Sequence, residues 1–372
     1  MKNGFRVIDG DGHMQEPLDI WDNYIEKDYY ERRPLVSGHV GRYLFSYHPC
    51  EAFPNGRVSP RPESVFADCP ERYGNAWTTW WSLPARLVEI EKEGLDIQVG
   101  FHTNGTAALS PNIEDPNLQD ALCRGYNNWA RDCCTESEGK VMFIGLVSVI
   151  DVKLAIAETE RLAEIPECAA INLPDPGPSQ KWSDPQFNPF WETLSRLNMA
   201  ASFHGGGSQT RWLRSYTETP GLASVSHAIA FPLDGMLSMG TLIFGNVLEN
   251  FPDLRCSFLE ANAGWAPWWL ARMDDHAIGR QGRFQYEKEV AMDPSDYFKR
   301  QCFIACDADE QTLPFVANEL GDNLIFNTDW PHPDAPIPGA VGMFLKQDFS
   351  DEIKRSILWD NSVSLYGDRI LN

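Results

Sequence analysis

The feature that most constrains the fold is a regular alternation of apolar, strand-like runs and helix-like runs along most of the chain. Eight apolar runs, from Phe5–Ile8 to the one that leads into "NTDWPHPD", are each separated from the next by helical spacing. Strands separated by helices, without the turn sequences of antiparallel hairpins, form parallel sheets. Eight such units in 372 residues predict an α/β fold, specifically a (β/α)8 TIM barrel.

The segment between the first strand and the first regular helix breaks this alternation. Residues 18–84 are rich in Pro, Trp and Tyr and lack a clear periodicity. A long insertion of this kind usually covers a binding or catalytic site. We therefore predict a single domain over residues 1–372, with residues 18–84 as an aromatic-rich insertion, or lid, after strand 1.

Charge and cysteine content restrict the partners. The formal net charge of −22 disfavours nucleic acid and anionic membranes as partners. No run is expected to reach the length of a membrane span, and the polar N-terminus does not resemble a signal peptide. The nine cysteines are scattered without a CxxC pair, which is typical of reduced thiols. These features predict a cytoplasmic protein with no nucleic-acid or membrane partner; the Trp-rich segments 76–81 and 265–269 leave a homodimer open.

Polar residues collect where the predicted strands end. In (β/α)8 barrels the active site lies at the carboxyl ends of the strands. The polar residues at these ends are Asp11, His13, Glu16, His102, Asn172, His204, Glu260, Asn262, Asp307, Asp309, Asp329 and His332. A carboxylate or imidazole that ends an apolar strand without a partner costs on the order of several kcal/mol. A bound cation among these groups explains them better than a solvated acidic turn does.

Several of these residues also have a purely structural explanation. His102 could be a core histidine, and His227, in the helical stretch after strand 5, could brace a loop. His332 could be packed by its neighbouring prolines, and Asp307 or Asp309 could cap the next helix. His204 and Asp329 resist this explanation most, because each ends a strongly apolar strand.

Motifs along nearly the whole chain resemble those of one enzyme family. In chain order they are "DGDGHMQEP", "SFHGGG", "SHAIAFP", "NVLENFPDLRCSFLEANAGWAPWWLARMDDH", "NTDWPHPD" and "WDNSVSLYG". The pattern resembles the amidohydrolase superfamily, in its amidohydrolase-related (amidohydrolase 2) branch, near the decarboxylase-like TIM barrels and the TIM-barrel nonheme diiron monooxygenases.

The resemblance implies roles for particular residues. His13 and His204 match family metal ligands, and Asp329 matches the strand 8 aspartate, which serves as ligand or base. Asp11 stands where the family has the first histidine of its His-x-His motif. His227 matches a catalytic histidine of decarboxylating relatives. Asn172 stands near the position of a strand 4 lysine that some binuclear members use.

The predicted site residues fall into three groups. The predicted metal ligands are Asp11, His13, Glu16, His204, Glu260 and Asp329. The predicted catalytic residues are His227, His332 and Asp329. The predicted substrate-binding residues are His102, Asn172, Trp80 and Trp81.

The carboxylate-rich ligand set leaves two kinds of enzyme open. Zinc sites use about four donors, so this mixture favours iron or manganese, and two metal ions would use all the donors. The main interpretation is a nonheme monooxygenase with two Fe ions that hydroxylates an apolar, including CoA-linked, substrate. The alternative is a hydrolase or decarboxylase that uses a metal-activated water on a small molecule, with Zn or Mn. A non-catalytic scaffold would not be expected to keep so many donors.

Overall fold

The computed structural model describes most of the chain. The described residues are 1–38, 45–58, 66–176, 179–205, 213, 216, 219, 221–277, 290–333 and 335–371. Contacts divide the chain into two compact units: unit 1 is Met1–Ala169, Asn327–Lys346 and Asp368–Asn372, and unit 2 is Ala170–Phe326 and Gln347–Gly367. The single-domain organisation stays a prediction.

Eleven strands lie in the described residues. In chain order they are β1 (Ile8–His13), β2 (Val36–Gly38), β3 (Phe45–Tyr47), β4 (Arg57–Val58), β5 (Ile97–Phe101), β6 (Val141–Leu146), β7 (Cys168–Asn172), β8 (Ala200–His204), β9 (Cys256–Leu259), β10 (Cys302–Asp307) and β11 (Leu324–Asn327). Eight of them form one sheet in the order β1-β5-β6-β7-β8-β9-β10-β11, and the pairings seen within each unit are parallel. The predicted (β/α)8 fold class is confirmed.

Helices follow these strands as the alternation predicts. In chain order they are α1 (Ile20–Tyr24), α2 (Cys69–Tyr73), α3 (Asn75–Thr78), α4 (Leu83–Glu93), α5 (Pro116–Thr135), α6 (Val152–Ala163), α7 (Asn188–Arg196), α8 (Ala223–Phe244), α9 (Val247–Asn250), α10 (Ala266–Ala277), α11 (Pro294–Gln301), α12 (Leu313–Leu320), α13 (Ala340–Leu345), α14 (Asp351–Arg355) and α15 (Asn361–Tyr366). A π-helical turn, Ser356–Asp360, joins the last two, and short 3-10 turns lie at Lys27–Arg32, Asn104–Ala107, Pro185–Phe187, Gly321–Asn323 and Asp368–Leu371.

Local chemistry explains where several helices begin and end. The carboxylates of Asp115 and Asp151 accept backbone N–H bonds at the starts of α5 and α6. Gly94 ends α4 in the left-handed conformation, with φ of 88°. The helix boundaries follow these local signals.

Strand β1 differs from its predicted extent. The sequence predicted a strand at Phe5–Ile8, with the acidic residues and His13 at its carboxyl end. In the structure the strand runs from Ile8 to His13, and all six of its residues are buried. A Cβ at Gly12 would lie 2.6 Å from Nε2 of Gln98 on β5, so glycine at this position leaves room for that side chain. Asp9 and Asp11 are therefore part of the sheet.

The insertion after β1 is also more regular than predicted. Strands β2, β3 and β4 form a small antiparallel sheet inside it, and α1, α2 and α3 are helical. Trp77 and Trp81 are 6% and 5% exposed, since their rings pack within unit 1. Of the two Trp-rich segments that could serve a homodimer, only the second contains a strongly exposed tryptophan among the described residues, Trp268 at 59%.

Helix α8 corrects one expectation from the sequence. By length and composition alone, this 22-residue, mostly apolar helix could cross a membrane. In its most apolar window, 28% of the residues are buried. Asp234 is its only acidic or basic residue apart from His227. The expectation that no run reaches this length is therefore wrong for α8. A single helix of this kind is weak support for a membrane span, because core helices of other proteins share these properties.

The pKa of Asp120 on α5 generates a prediction for stability. Burial, with a smaller contribution from Glu158, raises this pKa to about 6. The folded state then binds a proton more tightly than the unfolded state, so stability falls as pH rises from about 4 to about 6. Asp120→Asn should stabilise the fold by about 1 kcal/mol at pH 7 and by much less at pH 4. This free energy is reduced from the value implied by the pKa shift because Asp120 is partly exposed.

Chemical denaturation at both pH values measures this effect. The matched control is Asp253→Asn at an exposed position, for which we expect a change within about 0.5 kcal/mol at either pH. An Asp120→Asn gain that is equal at pH 4 and pH 7 would contradict the titration argument.

Candidate metal centre

Two histidines and one aspartate of unit 1 converge at the ends of β1 and β11. The Nε2 atom of His13 lies 3.2 Å from Oδ1 of Asp329, and Nδ1 of His332 lies 2.8 Å from the same oxygen. The three ligand atoms lie within 4.8 Å of one another. The imidazole rings of His13 and His332 stack with a centroid distance of 3.9 Å. One carboxylate oxygen between two imidazole nitrogens is a typical mixed donor set for a divalent cation.

Backbone and side-chain contacts hold His13 in place. Its N–H donates to the carbonyl of Trp330 at 2.7 Å, and its own carbonyl accepts from Nη2 of Arg86 at 2.8 Å. Its Nδ1 lies 3.0 Å from the carbonyl oxygen of His102. With Nδ1 directed at a carbonyl, the neutral ring carries its proton there, and Nε2 is the nitrogen suited to bind a metal.

Asp11 lies beside this cluster and is fully buried. One of its carboxylate oxygens lies within 4.8 Å of a ring nitrogen of His13. Its backbone carbonyl accepts the N–H of Asp329 at 2.9 Å. Asp329 has a φ of 56°, a left-handed conformation that is uncommon for a residue other than glycine and that often marks functional sites. Strand β1 therefore fixes the loop that carries the aspartate.

The insertion holds the same loop from another side. The guanidinium of Arg72 donates to the carbonyls of Pro333, Ala335 and Ile337 at 2.7–2.8 Å. The hydroxyl of Tyr73 donates to the carbonyl of His332 at 3.2 Å. The predicted lid thus serves at least as a support for the loop after β11.

Unit 2 contains a second histidine–carboxylate pair. His204 ends β8, and Glu260 directly follows β9, which pairs with β8. The Nε2 atom of His204 lies 2.8 Å from Oε2 of Glu260. Glu260, like Asp329, has a left-handed backbone, with φ of 50°. The two predicted ligands from these strands are therefore neighbours within their unit.

Glu16 has a different role from the predicted one. Its two carboxylate oxygens accept the backbone N–H groups of Thr103, Asn104 and Gly105 at 2.7–3.0 Å. Burial raises the pKa of this carboxyl, and these N–H donors oppose the rise. A carboxylate used by three backbone donors stabilises the loop after β5, so the metal-ligand assignment of Glu16 has no structural support.

The structure places the predicted catalytic residue His227 and the predicted substrate-binding residues His102 and Asn172 on different elements. His227 is exposed on α8 and packs against Phe231, with ring centroids 4.8 Å apart. His102 is 8% exposed and makes an edge-on ring contact with Tyr126. Asn172 is buried at the end of β7.

Trp80 and Trp81 lie in the insertion of unit 1. The indole N–H of Trp80 donates to the carbonyl of Glu16 at 2.8 Å. Trp81 is 5% exposed and packs edge-on against Trp330, the residue after Asp329. Both therefore support residues next to the cluster, and substrate contact stays a prediction.

Arg86 and Gln98 were missed in the sequence. Arg86 is 2% exposed and donates to Oε1 of Gln98 as well as to His13. The available signal was Gln98 itself, a polar residue inside the apolar run "LDIQVGF". A buried amide in a strand needs partners, and these were far away in sequence.

The donor set of unit 1 fits a divalent ion. His13 and Asp329 supply an imidazole nitrogen and a carboxylate oxygen, Asp11 adds a buried carboxylate next to them, and the imidazole of His332 lies beside Asp329. Buried carboxylates and imidazoles in such proximity are stabilised when a cation binds among them.

Comparisons with known proteins agree with this chemistry. A 2-amino-3-carboxymuconate-6-semialdehyde decarboxylase from Dictyostelium discoideum is 21% identical over 289 residues, which are 77% of each chain. An amidohydrolase structure from Mycobacterium avium subsp. paratuberculosis has a TM-score of 0.77 at 18% identity and covers 98% of this chain and 100% of that chain. A Polaromonas dihydroxybenzoic acid decarboxylase, solved with manganese and an inhibitor, has a TM-score of 0.61 at 17% identity and covers 83% and 94%.

The structural likenesses show the fold, and a family model shows the family. The model, described as amidohydrolase, matches residues 70–367, which is most of the chain. The resemblance seen in the sequence motifs is confirmed. The protein is a metal-dependent enzyme of the amidohydrolase superfamily, in its amidohydrolase 2 branch, near the decarboxylase-like TIM barrels.

Proposed function

We propose that the protein is a divalent-metal-dependent decarboxylase that acts on a small aromatic or otherwise conjugated carboxylic acid. The observation that carries this proposal is the cluster of His13, Asp329 and His332, with one carboxylate oxygen between two imidazoles. The decarboxylase relatives support it, since they share this fold and family.

The metal would be held by Nε2 of His13 and by the carboxylates of Asp329 and Asp11. His204 and Glu260 keep their sequence-based assignment as ligands. Manganese is the first candidate, because a related decarboxylase was solved with it, and zinc is the second. The bound ion would supply a positive charge that orients the carboxylate of the substrate and stabilises developing negative charge.

The reaction breaks one C–C bond, releases CO2 and requires a proton at the carbon left behind. Nδ1 of His332 faces Oδ1 of Asp329 at 2.8 Å. The opposite ring nitrogen, Nε2, is then the atom at which we place the proton transfer. Asp329 would orient this imidazole, and stacking on His13 fixes its plane. His227 is the second candidate for this step, on the basis of its motif.

The two-iron monooxygenase interpretation is less well supported. It relied on six ligands, and the carboxylate of Glu16 is already used by three backbone N–H groups. The similar proteins described above are decarboxylases and an amidohydrolase. We therefore prefer the alternative interpretation to the iron-dependent monooxygenase, and within it we prefer decarboxylation to hydrolysis.

We further propose a small-molecule substrate, no nucleic-acid or membrane partner, a cytoplasmic location and a homodimer. The acidic net charge of −22 supports the exclusion of nucleic acid. The exposed Trp268 supports an apolar contact between copies.

The reaction type is tested with dihydroxybenzoic acids as substrates under argon and in air. We expect CO2 release at the same rate in both, with no oxygen consumed. Oxygen-dependent formation of a hydroxylated product would overturn the proposal in favour of the monooxygenase.

Metal dependence gives a second prediction. Removal of metal by a chelator should abolish activity, and Mn2+ or Zn2+ should restore it. His13→Ala should weaken Mn2+ binding by at least about tenfold, since it removes a central donor. The control, His48→Ala, changes an exposed histidine and should bind as the wild type does. Metal content measured by elemental analysis, unchanged in His13→Ala, would contradict the assignment.

Proton transfer gives a third prediction. His332→Gln keeps a hydrogen-bonding side chain but removes the titratable ring. We expect kcat to fall by about 10²–10⁴-fold, while Mn2+ binding changes much less. The same substitution at exposed His48 is the control. A kcat within about threefold of the wild type would exclude His332 as the proton donor and direct attention to His227.

A further inference from the structure

A cavity of about 470 Å³ lies within unit 1, outside the His13–Asp329–His332 cluster. Its walls come from α4, α5, the end of the insertion and the residues after β1, and they are mainly apolar. The walls include Met14, Trp80, Trp81, Leu83, Arg86 and Trp129. None of the three clustered residues lines it. The volume is within the usual range of small-molecule pockets, which are about 300–1,000 Å³.

The two tryptophans in the wall have an unusual backbone. Trp80 and Trp81 have φ of 52° and 57°. Left-handed backbone is a clear outlier for bulky residues, and such conformations persist only where the surroundings enforce them. Here the indole N–H of Trp80 bonds to the carbonyl of Glu16, and the ring of Trp81 packs on Tyr73, Trp77 and Trp330. The fold thus holds two adjacent aromatic side chains at one cavity.

The polar groups of the wall are engaged or neutral, except for the exposed carboxylate of Asp19, which accepts a hydrogen bond from Asn23 and disfavours an anionic ligand. Arg86 donates to Gln98 and to the carbonyl of His13. Burial raises the pKa of the Cys133 thiol to about 11, so this thiol is neutral near pH 7. An uncharged ligand would therefore fit this cavity better than an anion.

We propose that this cavity is a second binding site, separate from the metal centre, for a neutral, planar aromatic molecule. The aromatic rings and the methionine supply the apolar contacts that such a ligand needs.

Occupancy of this site would also affect the metal centre. Arg86 belongs to the cavity wall and donates to the carbonyl of His13, and its guanidinium lies 4.8 Å from the ring centre of Trp330. Trp81, on the same wall, packs on Trp330, which directly precedes the loop of His332 and follows Asp329. A ligand that displaces Arg86 or Trp81 would shift His13 and the loop that carries Asp329 and His332. This coupling rests on the proposed function, whereas the binding itself does not.

The binding experiment uses 4-fluorotoluene as probe and ¹⁹F NMR as readout, on the full chain. We expect saturable binding to the wild type. Leu83→Trp and Leu18→Trp fill the cavity from two walls and should weaken binding by at least about tenfold, or about 1.4 kcal/mol. The matched control is Glu91→Trp, at an exposed position of α4 outside the cavity, and should bind as the wild type does.

Three outcomes would overturn the binding site. They are absence of saturable binding to the wild type, equal binding by both filled variants, and loss of binding in His13→Ala, which would place the probe in the metal centre. Circular dichroism and thermal unfolding of each variant identify any that fail to fold, and the second filled variant then decides.

The coupling is measured as the change in Mn2+ affinity caused by saturating probe. We expect a change of at least about threefold in the wild type and none in Leu83→Trp, because linkage is reciprocal. An unchanged Mn2+ affinity in the wild type would overturn the coupling. Failure of the wild type to bind Mn2+ would instead overturn the metal assignment and leave the probe result standing.

Discussion

The structure around the His13–Asp329–His332 cluster depends on a buried chain of hydrogen-bonded charged and polar groups. Asp9 accepts hydrogen bonds from Nε2 of Gln98 and from both the N–H and the hydroxyl of Thr328, at 2.7–2.9 Å. Gln98 in turn accepts from Arg86, which donates to the carbonyl of His13. Burial raises the pKa of Asp9 to about 6 in spite of these bonds. A buried polar group in such a network that lacked its hydrogen-bond partner would lower the stability of the folded state. Each residue therefore fixes the position of the next.

This network explains why polar residues are tolerated inside β1. A strand interior is normally apolar, and buried carboxylates need hydrogen-bond partners. The partners of Asp9 come from β5 and from the residues after β11, and Gly12 leaves room for the side chain of Gln98. The same contacts set the position of His13. The hydrogen bonds that stabilise the end of β1 therefore also set the geometry of the candidate ligands.

Sequence patterns predicted the fold well and the site unevenly. Alternating apolar runs are local signals, so the barrel strands and the helices between them could be recognised. The role of Glu16 could not, because it depends on three backbone N–H groups after β5. Arg86 was missed for a similar reason, since its partners lie in two other elements. Local sequence indicates which donors are available, whereas only the folded chain indicates which of them are already engaged.

The loop that carries Asp329 and His332 is supported by the insertion, through Arg72 and Tyr73. Arg72 and the carbonyl of Pro333 are 261 residues apart in sequence. Holding such distant segments together costs loop-closure entropy, which the three carbonyl hydrogen bonds of Arg72 help to offset. The position of the loop that carries Asp329 and His332 is therefore a property of the insertion as well as of the barrel strands. A change in the insertion, far from the candidate ligands in sequence, would alter their geometry without touching any of them.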